Sequence, residues 1–165
     1  MADKTGLIID IGGFPAEGIS DIKLSADVSV PKSYCDEEKA SVTVLGSLKR
    51  NTEDVFTFEG SIQAELMLKC DLCLDKFLKR LEFPFEGIFE RNSGSEENYS
   101  FSGDKIDLEE AVYTELLLNF PMKNVCREDC KGLCIKCGAN LNYGDCGCDT
   151  FEGNEAFLKL KEMFE

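Results

Sequence analysis

The fold of the C-terminal third of the chain is decided by one stretch, Cys126-Arg-Glu-Asp-Cys-Lys-Gly-Leu-Cys-Ile-Lys-Cys-Gly-Ala-Asn-Leu-Asn-Tyr-Gly-Asp-Cys-Gly-Cys148. This stretch places six of the nine cysteines of the 165-residue protein within 23 residues. Such a density of cysteine and glycine predicts irregular backbone, because glycine disfavours the interior of both helices and strands. Thiolates at short spacings are typical of a structural metal site. We therefore predict that a metal ion, with zinc preferred, organises this segment.

Two close cysteine pairs predict the first site. Cys134 and Cys137 are separated by two residues and followed by Gly138, which tolerates the left-handed φ of a tight turn. Cys146 and Cys148 supply the second pair after eight residues that include several turn formers. Zinc takes four such thiolates in a tetrahedron at about 2.3 Å. The predicted ligands of the first site are therefore these four cysteines.

A second site is predicted from the cysteines that the first one leaves over. Cys126 and Cys130 precede the first site, and another pair, Cys70-Asp-Leu-Cys73, follows a predicted strand far upstream. These four would form a second set of thiolates and would tie the β region to the C-terminal segment. Cys35 remains outside both sets, and a lone cysteine most often serves as a small apolar residue.

Three other interpretations of the cysteines stay open. Iron or an iron–sulfur cluster also prefers thiolates. The spacings could occur without any metal. A thioredoxin-type redox motif shares the Cys-x-x-Cys spacing, but that motif belongs in a βαβ context, whereas residues 54–89 are predicted to be consecutive strands.

The composition argues against several classes of protein. The net charge of −14 opposes a protein that coats nucleic acid with its whole surface, because phosphate binding depends on Lys and Arg. The chain has no histidine, which removes the Ser-His-Asp and Cys-His arrangements and histidine-ligated catalytic zinc. No phosphate-binding glycine motif is present. We therefore expect a protein that is not an enzyme and has no small-molecule substrate.

The location is predicted from the N-terminus and from hydropathy. Residues 1–10 contain a run of only three apolar residues before an acid, which does not resemble a signal peptide. No apolar stretch approaches the roughly 20 residues of a membrane helix, so no membrane partner is expected. We expect a cytoplasmic protein, and in that reducing compartment clustered cysteines are more often ligands than disulfides.

The predicted fold class is α+β, with an antiparallel sheet or partly open barrel in the N-terminal region. Apolar residues alternate with polar ones in four segments, and short polar turns connect them. Connections of hairpin length make antiparallel pairing the default. The predicted strands are Asp21–Val30, Ala40–Leu48, Val55–Leu68 and Phe77–Phe89.

One helix and a short C-terminal helix complete the predicted organisation. Asp107 and Glu110 resemble a capping box that starts a helix, which should reach about Asn119 before Pro121 ends it. A final short helix should start at Asn154. We divide the chain into a β region at 1–92, an exposed loop and helix at 93–125, and a zinc segment with the last helix at 126–165, all expected to form one cooperative unit.

Basic residues concentrate near the cysteines although the chain as a whole is acidic. Eight of the 18 cations lie in residues 69–80 and 121–138, against only four acids there. They could contact RNA or another partner, or they could simply offset the charge of tetrathiolate sites. The predicted contact residues are Lys69, Lys76, Lys79, Arg80, Lys123, Arg127, Lys131 and Lys136.

The run Cys-Lys-Gly-Leu-Cys-x-x-Cys-Gly-x-Asn-Leu-Asn at residues 130–142, with Cys-Gly-Cys at 146–148, resembles the C-terminal signature of the YceD family of large ribosomal RNA subunit accumulation proteins. The order of β region, upstream Cys-x-x-Cys and acidic-capped helix is also similar. The family usually has an arginine between the upstream cysteines, where this chain has Asp71 and Leu72.

The resemblance implies a bacterial cytoplasmic protein, also known in plastids, that 23S ribosomal RNA needs in order to accumulate. It implies no enzymatic activity. We therefore expect a zinc-stabilised factor of large-subunit biogenesis that binds 23S rRNA precursor or a basic ribosomal protein. An acidic surface suits the basic protein better. The alternative hypothesis is a thiol-based redox or metal sensor that uses the same cysteines.

Overall fold

A computed structural model describes residues 6–15, 18–31, 39–95 and 97–148 of the chain. The chain forms two compact units. The first, called the β unit here, comprises Met1–Leu68 and Phe77–Met122; the second, called the cysteine unit, comprises Lys69–Lys76 and Lys123–Glu165. The three-part division at residues 92 and 125 stays a prediction, as does the single cooperative unit.

Seven strands and one helix follow one another along the described residues. The four strands predicted from alternation are confirmed, with ends that shift by one or two residues. In chain order the elements are β1 (Ile8–Asp10), β2 (Ile19–Ser29), β3 (Lys39–Arg50), β4 (Val55–Lys69), β5 (Lys76–Arg91), β6 (Tyr99–Phe101), β7 (Lys105–Asp107) and α1 (Glu109–Leu118).

The larger sheet has the strand order β2-β3-β4-β5-β6. The β2–β3 and β3–β4 pairs are antiparallel, as the short connections predict. On β4 and β5, Gln63 donates to Glu82 and Arg80 donates to Glu65, a pairing that also fits an antiparallel register. Within the described residues the sheet is open at β2 and β6, so of the two predicted forms the sheet is present and the closed part of a barrel is not.

Glycine allows β3 and β4 to approach closely at the middle of this sheet. Gly46 and Gly60 are direct cross-strand partners. A Cβ atom on Gly46 would overlap the carbonyl oxygen of Glu59 and would lie 2.7 Å from the ring of Phe58. The buried Phe58 ring thus occupies the space that a side chain at position 46 would take.

Three short strands differ from the prediction. β6 lies within the segment that we expected to be an exposed loop, and it pairs with β5 in parallel. β1 and β7 form a separate two-stranded antiparallel sheet. Strands of three residues are too short to show a period in the sequence, although each carries a buried apolar residue: Ile9, Phe101 and Ile106.

Helix α1 starts later than the capping box predicts. Its N-cap is Leu108, which makes no side-chain cap hydrogen bond. The Asp107 carboxylate instead accepts from the N–H of Glu109 at 2.9 Å, while Asp107 itself ends β7. The predicted capping box is therefore wrong, because strand pairing holds Asp107 in extended backbone. The predicted helix end is confirmed within one residue.

The core of the β unit joins the sheet to α1. Phe56, Phe58 and Phe89 are among its largest fully buried side chains, and α1 contributes Ala111, Val112 and Leu116. The predicted helix from Asn154 lies outside the described residues. Among the described residues, no helix has the length and apolarity that crossing a membrane requires.

Candidate metal centres

The second predicted cysteine set forms a compact cluster. The Sγ atoms of Cys70, Cys73, Cys126 and Cys130 all lie within 4.8 Å of one another. Cys70 and Cys130 are separated by 3.8 Å, and Cys73 and Cys126 by 3.7 Å. A tetrahedral ion with sulfur at about 2.3 Å separates its sulfurs by about 3.8 Å. All four cysteines are free, and this second cluster has the size that a metal ion requires.

The turn that follows β4 aims Cys70 and Cys73 into the second cluster. The Cys70 N–H donates to the carbonyl of Asp75, and the Leu74 N–H donates to the carbonyl of Cys70, each at 2.9 Å. Leu74 closes this turn with a φ of 64°. Because a leucine rarely adopts left-handed backbone, the surrounding contacts must hold it there.

Asp71 joins this turn to the segment that carries Cys126. Its N–H donates to the carbonyl of Asn124, and its carboxylate accepts from the Asn124 N–H, both at 2.7 Å. The Cys126 N–H in turn donates to the Cys70 sulfur at 3.4 Å. Asp71, one of the two residues between the upstream cysteines, therefore connects two segments of the cysteine unit.

The cysteines of the first predicted site also form a compact group, called the first cluster. The Sγ atoms of Cys134, Cys137, Cys146 and Cys148 also lie within 4.8 Å of one another. Cys134 is buried, Cys146 and Cys148 are half-buried, and Cys137 is exposed. This first cluster could therefore hold a metal ion in the way that the spacing predicts.

Left-handed glycines shape the loops of the first cluster. Gly138 has a φ of 73°, and its N–H donates to the carbonyl of Cys134 at 2.8 Å. Gly147 has a φ of 67°, and its N–H donates to the Asp145 carboxylate at 3.0 Å. Each glycine turns the chain between or beside two ligands, which confirms the predicted role of Gly138.

Two asparagines connect the clusters within the cysteine unit. The Asn142 oxygen accepts from the Lys131 N–H and from the Arg127 guanidinium, each at 2.9 Å, while its NH₂ donates to the Cys130 sulfur at 3.4 Å. The Asn140 NH₂ donates to the Asp75 carboxylate at 2.8 Å. The loop of the first cluster is thus hydrogen-bonded both to a sulfur and to a turn residue of the second cluster.

The thiols of each cluster have divergent acidities. Burial alone raises the pKa of Cys70, but N–H donors from Cys73, Cys126 and Leu72 outweigh it and lower the pKa to about 6. Burial and the neighbouring thiols raise the pKa of Cys73 to about 12.

The same contrast recurs in the first cluster. Backbone N–H donors of Cys137 and Lys136 lower the pKa of Cys134 to about 6. Hydrogen bonds with the Cys137 and Cys146 sulfurs raise the pKa of Cys148 to about 12. Four like charges this close repel one another, so all four thiols can ionise together only when a cation compensates them.

The eight cations predicted to contact a partner divide between the two units. Those in the cysteine unit are Lys69, Lys76, Lys123, Arg127, Lys131 and Lys136. The other two lie on β5 in the β unit: Lys79 is half-buried, and Arg80 forms an ion pair with Glu65 at 2.7 Å. Their contact with a partner stays a prediction.

Sequence reasoning missed the polar residues that hold the cysteine loops together. The charges of Asp71 and Asp75 entered the prediction, but their hydrogen bonds did not, although each residue bridges two segments. A signal for the asparagines was present in Asn140-Leu141-Asn142, because asparagine favours turns, and here the Asn142 N–H donates to the Asn140 side-chain oxygen at 3.0 Å.

The chain is similar to known proteins over the region that holds both clusters. Residues 58–164 match the family model described as Large ribosomal RNA subunit accumulation protein YceD. The chloroplastic Large ribosomal RNA subunit accumulation protein YCED homolog 1 of Arabidopsis thaliana is 33% identical over 61 residues, which cover 37% of this chain and 19% of that protein.

Two mycobacterial proteins are also similar. Uncharacterized proteins of Mycobacterium tuberculosis and Mycobacterium bovis are 28% identical over 89 residues, which cover 50% of this chain and 43% of theirs. The chain thus spans less than half the length of each curated relative. No solved structure shows a significant match.

Proposed function

Because the chain belongs to the YceD family of large ribosomal RNA subunit accumulation proteins, we propose that it is a non-catalytic, zinc-stabilised factor of large-subunit biogenesis. It supports 23S rRNA accumulation in the cytoplasm by binding precursor RNA or a basic ribosomal protein. The family description names an accumulation factor rather than a class of enzyme. The observation that carries the proposal is the pair of four-cysteine clusters in the matched region.

Zinc fits these clusters best because each offers four sulfurs and no other ligand type. The separations of 3.7 and 3.8 Å in the second cluster equal the sulfur spacing of a tetrahedral zinc site. Four thiolates leave no open position for water, so each ion would stabilise the fold instead of activating a nucleophile.

Elemental analysis of the purified chain tests the metal assignment. We expect close to two zinc ions per chain, falling to one in Cys126→Ser and in Cys146→Ser. Cys35→Ser is the matched control, since Cys35 belongs to neither predicted set, and it should keep both ions. Iron in place of zinc, or less than about half an ion per chain in protein prepared without chelators, would refute the assignment, because a closed structural site should be filled.

The cysteine unit offers the surface that we propose for the partner. Its described part carries six cations against five acids, while the whole chain has a net charge of −14. Two zinc-filled tetrathiolate clusters would add negative charge, so the surface depends on the positions of exposed cations and not on the net charge of the unit. Two of those acids, Asp71 and Asp75, accept internal hydrogen bonds. The exposed Lys123 and Lys131 remain available for an anionic partner, whereas Arg127 already forms an ion pair with Asp129 at 3.4 Å. The acidic β unit suits a basic protein.

Depletion of the protein in its native host tests the biological role. We expect 23S rRNA to fall while 16S rRNA is maintained, and crosslinking in growing cells should recover large-subunit RNA or protein. Restoration should require Cys126 and Cys146 but not Cys35. Equal loss of both rRNAs would contradict a role specific to the large subunit.

The second candidate is a thiol-based redox or metal sensor, and the exposure of Cys137 favours it. An exposed zinc thiolate is the most accessible point for an oxidant. Graded peroxide should then release zinc from the first cluster reversibly and change 23S rRNA levels within minutes. Zinc retention at peroxide concentrations that oxidise small-molecule thiols would eliminate the sensor.

A further inference from the structure

Tyr143 combines an exposed ring with a fixed hydroxyl. Its side chain is 81% exposed, yet its hydroxyl donates to the Asp75 carboxylate at 3.0 Å. A surface tyrosine normally gives its hydroxyl to water and samples several rotamers. Here the polar end is bound and the aromatic face is left in solvent.

Asp75, which binds the Tyr143 hydroxyl, lies in the turn that carries two cysteines of the second cluster. Asp75 also accepts from the Asn140 NH₂ at 2.8 Å, and its carbonyl accepts from the Cys70 N–H at 2.9 Å. The Tyr143 N–H donates to the Asn140 carbonyl at 3.2 Å. The ring is therefore held from both its backbone and its hydroxyl, which reduces the entropy that a ligand would lose on contact.

Two basic residues contact Asn142, the residue that precedes Tyr143, and Lys131 does so through its backbone. Arg127 and Lys131 both donate to the Asn142 oxygen, one through its guanidinium and the other through its N–H. The hydrogen bond to Asp75 and the charge of that carboxylate raise the pKa of Tyr143, and the charge of Arg127 acts in the opposite sense. Arg127 also forms an ion pair with the exposed Asp129 at 3.4 Å. Within the part of the chain that the structure describes, the Lys131 ammonium has no ion-pair partner.

We propose that Tyr143 is a stacking platform for an unpaired nucleobase of RNA, with Arg127 and Lys131 binding the adjacent phosphates. Every base has a π face, so an aromatic ring beside cations is the common device for binding single-stranded RNA. A basic ribosomal protein would meet like charges at this surface. The proposal rests on the RNA-binding form of the proposed function and deepens it.

Binding of fluorescein-labelled single-stranded RNA tests the platform. The probe is an unpaired segment of about a dozen nucleotides from 23S precursor RNA, compared with the same sequence as a duplex. Tyr143→Ala should weaken single-strand binding by about 5- to 150-fold, the usual loss for one stacked base. Tyr143→Phe keeps the ring and should bind within a few-fold of the native chain.

Intrinsic fluorescence gives a second readout. The chain has four tyrosines and no tryptophan, so its emission comes from tyrosine. Stacked bases quench a tyrosine, and we expect the single strand to quench the native chain. Tyr143→Phe should bind the RNA but lose that quenching, which a purely structural tyrosine would not do. Zinc content and melting temperature, measured for each variant, show that the fold is intact.

The outcomes separate this inference from the proposed function. If the native chain binds the RNA and Tyr143→Ala binds it equally well, the platform is refuted while the RNA-binding function stands. If the native chain binds neither RNA probe, both the platform and the RNA form of the function are refuted. Binding of a basic ribosomal protein that depends on Tyr143, without RNA binding, would also overturn the platform.

Discussion

Replacing Gly132 by alanine tests whether the junction between the cysteine loops controls metal retention. Gly132 has a φ of +70°, and a Cβ atom there would lie 3.1 Å from the Leu72 carbonyl oxygen. That oxygen already accepts from the Leu133 N–H at 3.1 Å. The carbonyl can make room for the methyl group only by weakening this hydrogen bond.

The expected loss in the folding free energy of the metal site is the sum of two contributions. A left-handed residue with a Cβ costs about 1–2 kcal/mol. A weakened hydrogen bond costs a further 0.5–1.5 kcal/mol or so. Together they give about 1.5–3.5 kcal/mol, which corresponds to roughly 10- to 300-fold weaker zinc binding, because metal affinity and folding of the site are linked.

Gly138→Ala is the matched control. Gly138 has a φ of +73°, but nothing lies within 4 Å of a Cβ atom there, so it bears the backbone cost alone. We expect about 5- to 30-fold weaker binding for that variant. Gly103→Ala, with a φ of +66° in the β unit, should leave zinc binding unchanged.

Competition with a chromophoric zinc chelator measures the series. Gly132→Ala should release zinc at the lowest chelator concentration and Gly138→Ala at an intermediate one. Gly103→Ala should release zinc at the same concentration as the native chain. If Gly132→Ala and Gly138→Ala release zinc equally, contact with the Leu72 carbonyl makes no contribution to zinc retention. If Gly103→Ala releases zinc as early as either, the effect is general destabilisation.

Three further outcomes are expected. Asn142→Ala removes the hydrogen bond to the Cys130 sulfur and two further acceptor contacts, so zinc release should become about 10-fold easier or more. Hydrogen bonds from Asn98 and Ser93 lower the pKa of Glu90 from its ordinary value. The stability that this carboxylate contributes is present at neutral pH and is lost as the pH falls through its folded-state pKa, and Asn98→Ala should raise that pKa in a carboxyl NMR titration. If the chain is one cooperative unit, tyrosine fluorescence and zinc release should give the same urea midpoint.

The two substitutions, Asn98→Ala and Asn142→Ala, serve as controls for each other. Asn98→Ala lies in the β unit and should not alter zinc release, and Asn142→Ala should not alter the titration of Glu90. Unchanged zinc release in Asn142→Ala would contradict the role of its amide, and an unchanged Glu90 titration in Asn98→Ala would contradict that hydrogen bond. Separate urea midpoints would show two independently folding units.

Local sequence predicted what depends on local chemistry. The long strands show their period over at least eight residues, so β2 to β5 could be located. Thiolate spacing within short loops predicted the first cysteine set, and the two pairs that it left over predicted the second. Prediction failed where distant partners decide the conformation: β6 depends on β5, and strand pairing with β1 keeps Asp107 out of the helix cap.

The charge of the chain shows why composition alone misjudges this surface. Net charge counts Asp71 and Asp75 against the neighbouring lysines, but both carboxylates are bound by N–H, NH₂ or O–H donors within the cysteine unit. The Lys131 ammonium has no such internal partner among the described side chains. Two tetrathiolate zinc sites would add negative charge, yet the Asn142 amide and backbone N–H groups donate to sulfur and disperse it. A polyanion would therefore bind this part of an acidic protein through short-range contacts with exposed cations, because neutral donors leave the carboxylates charged.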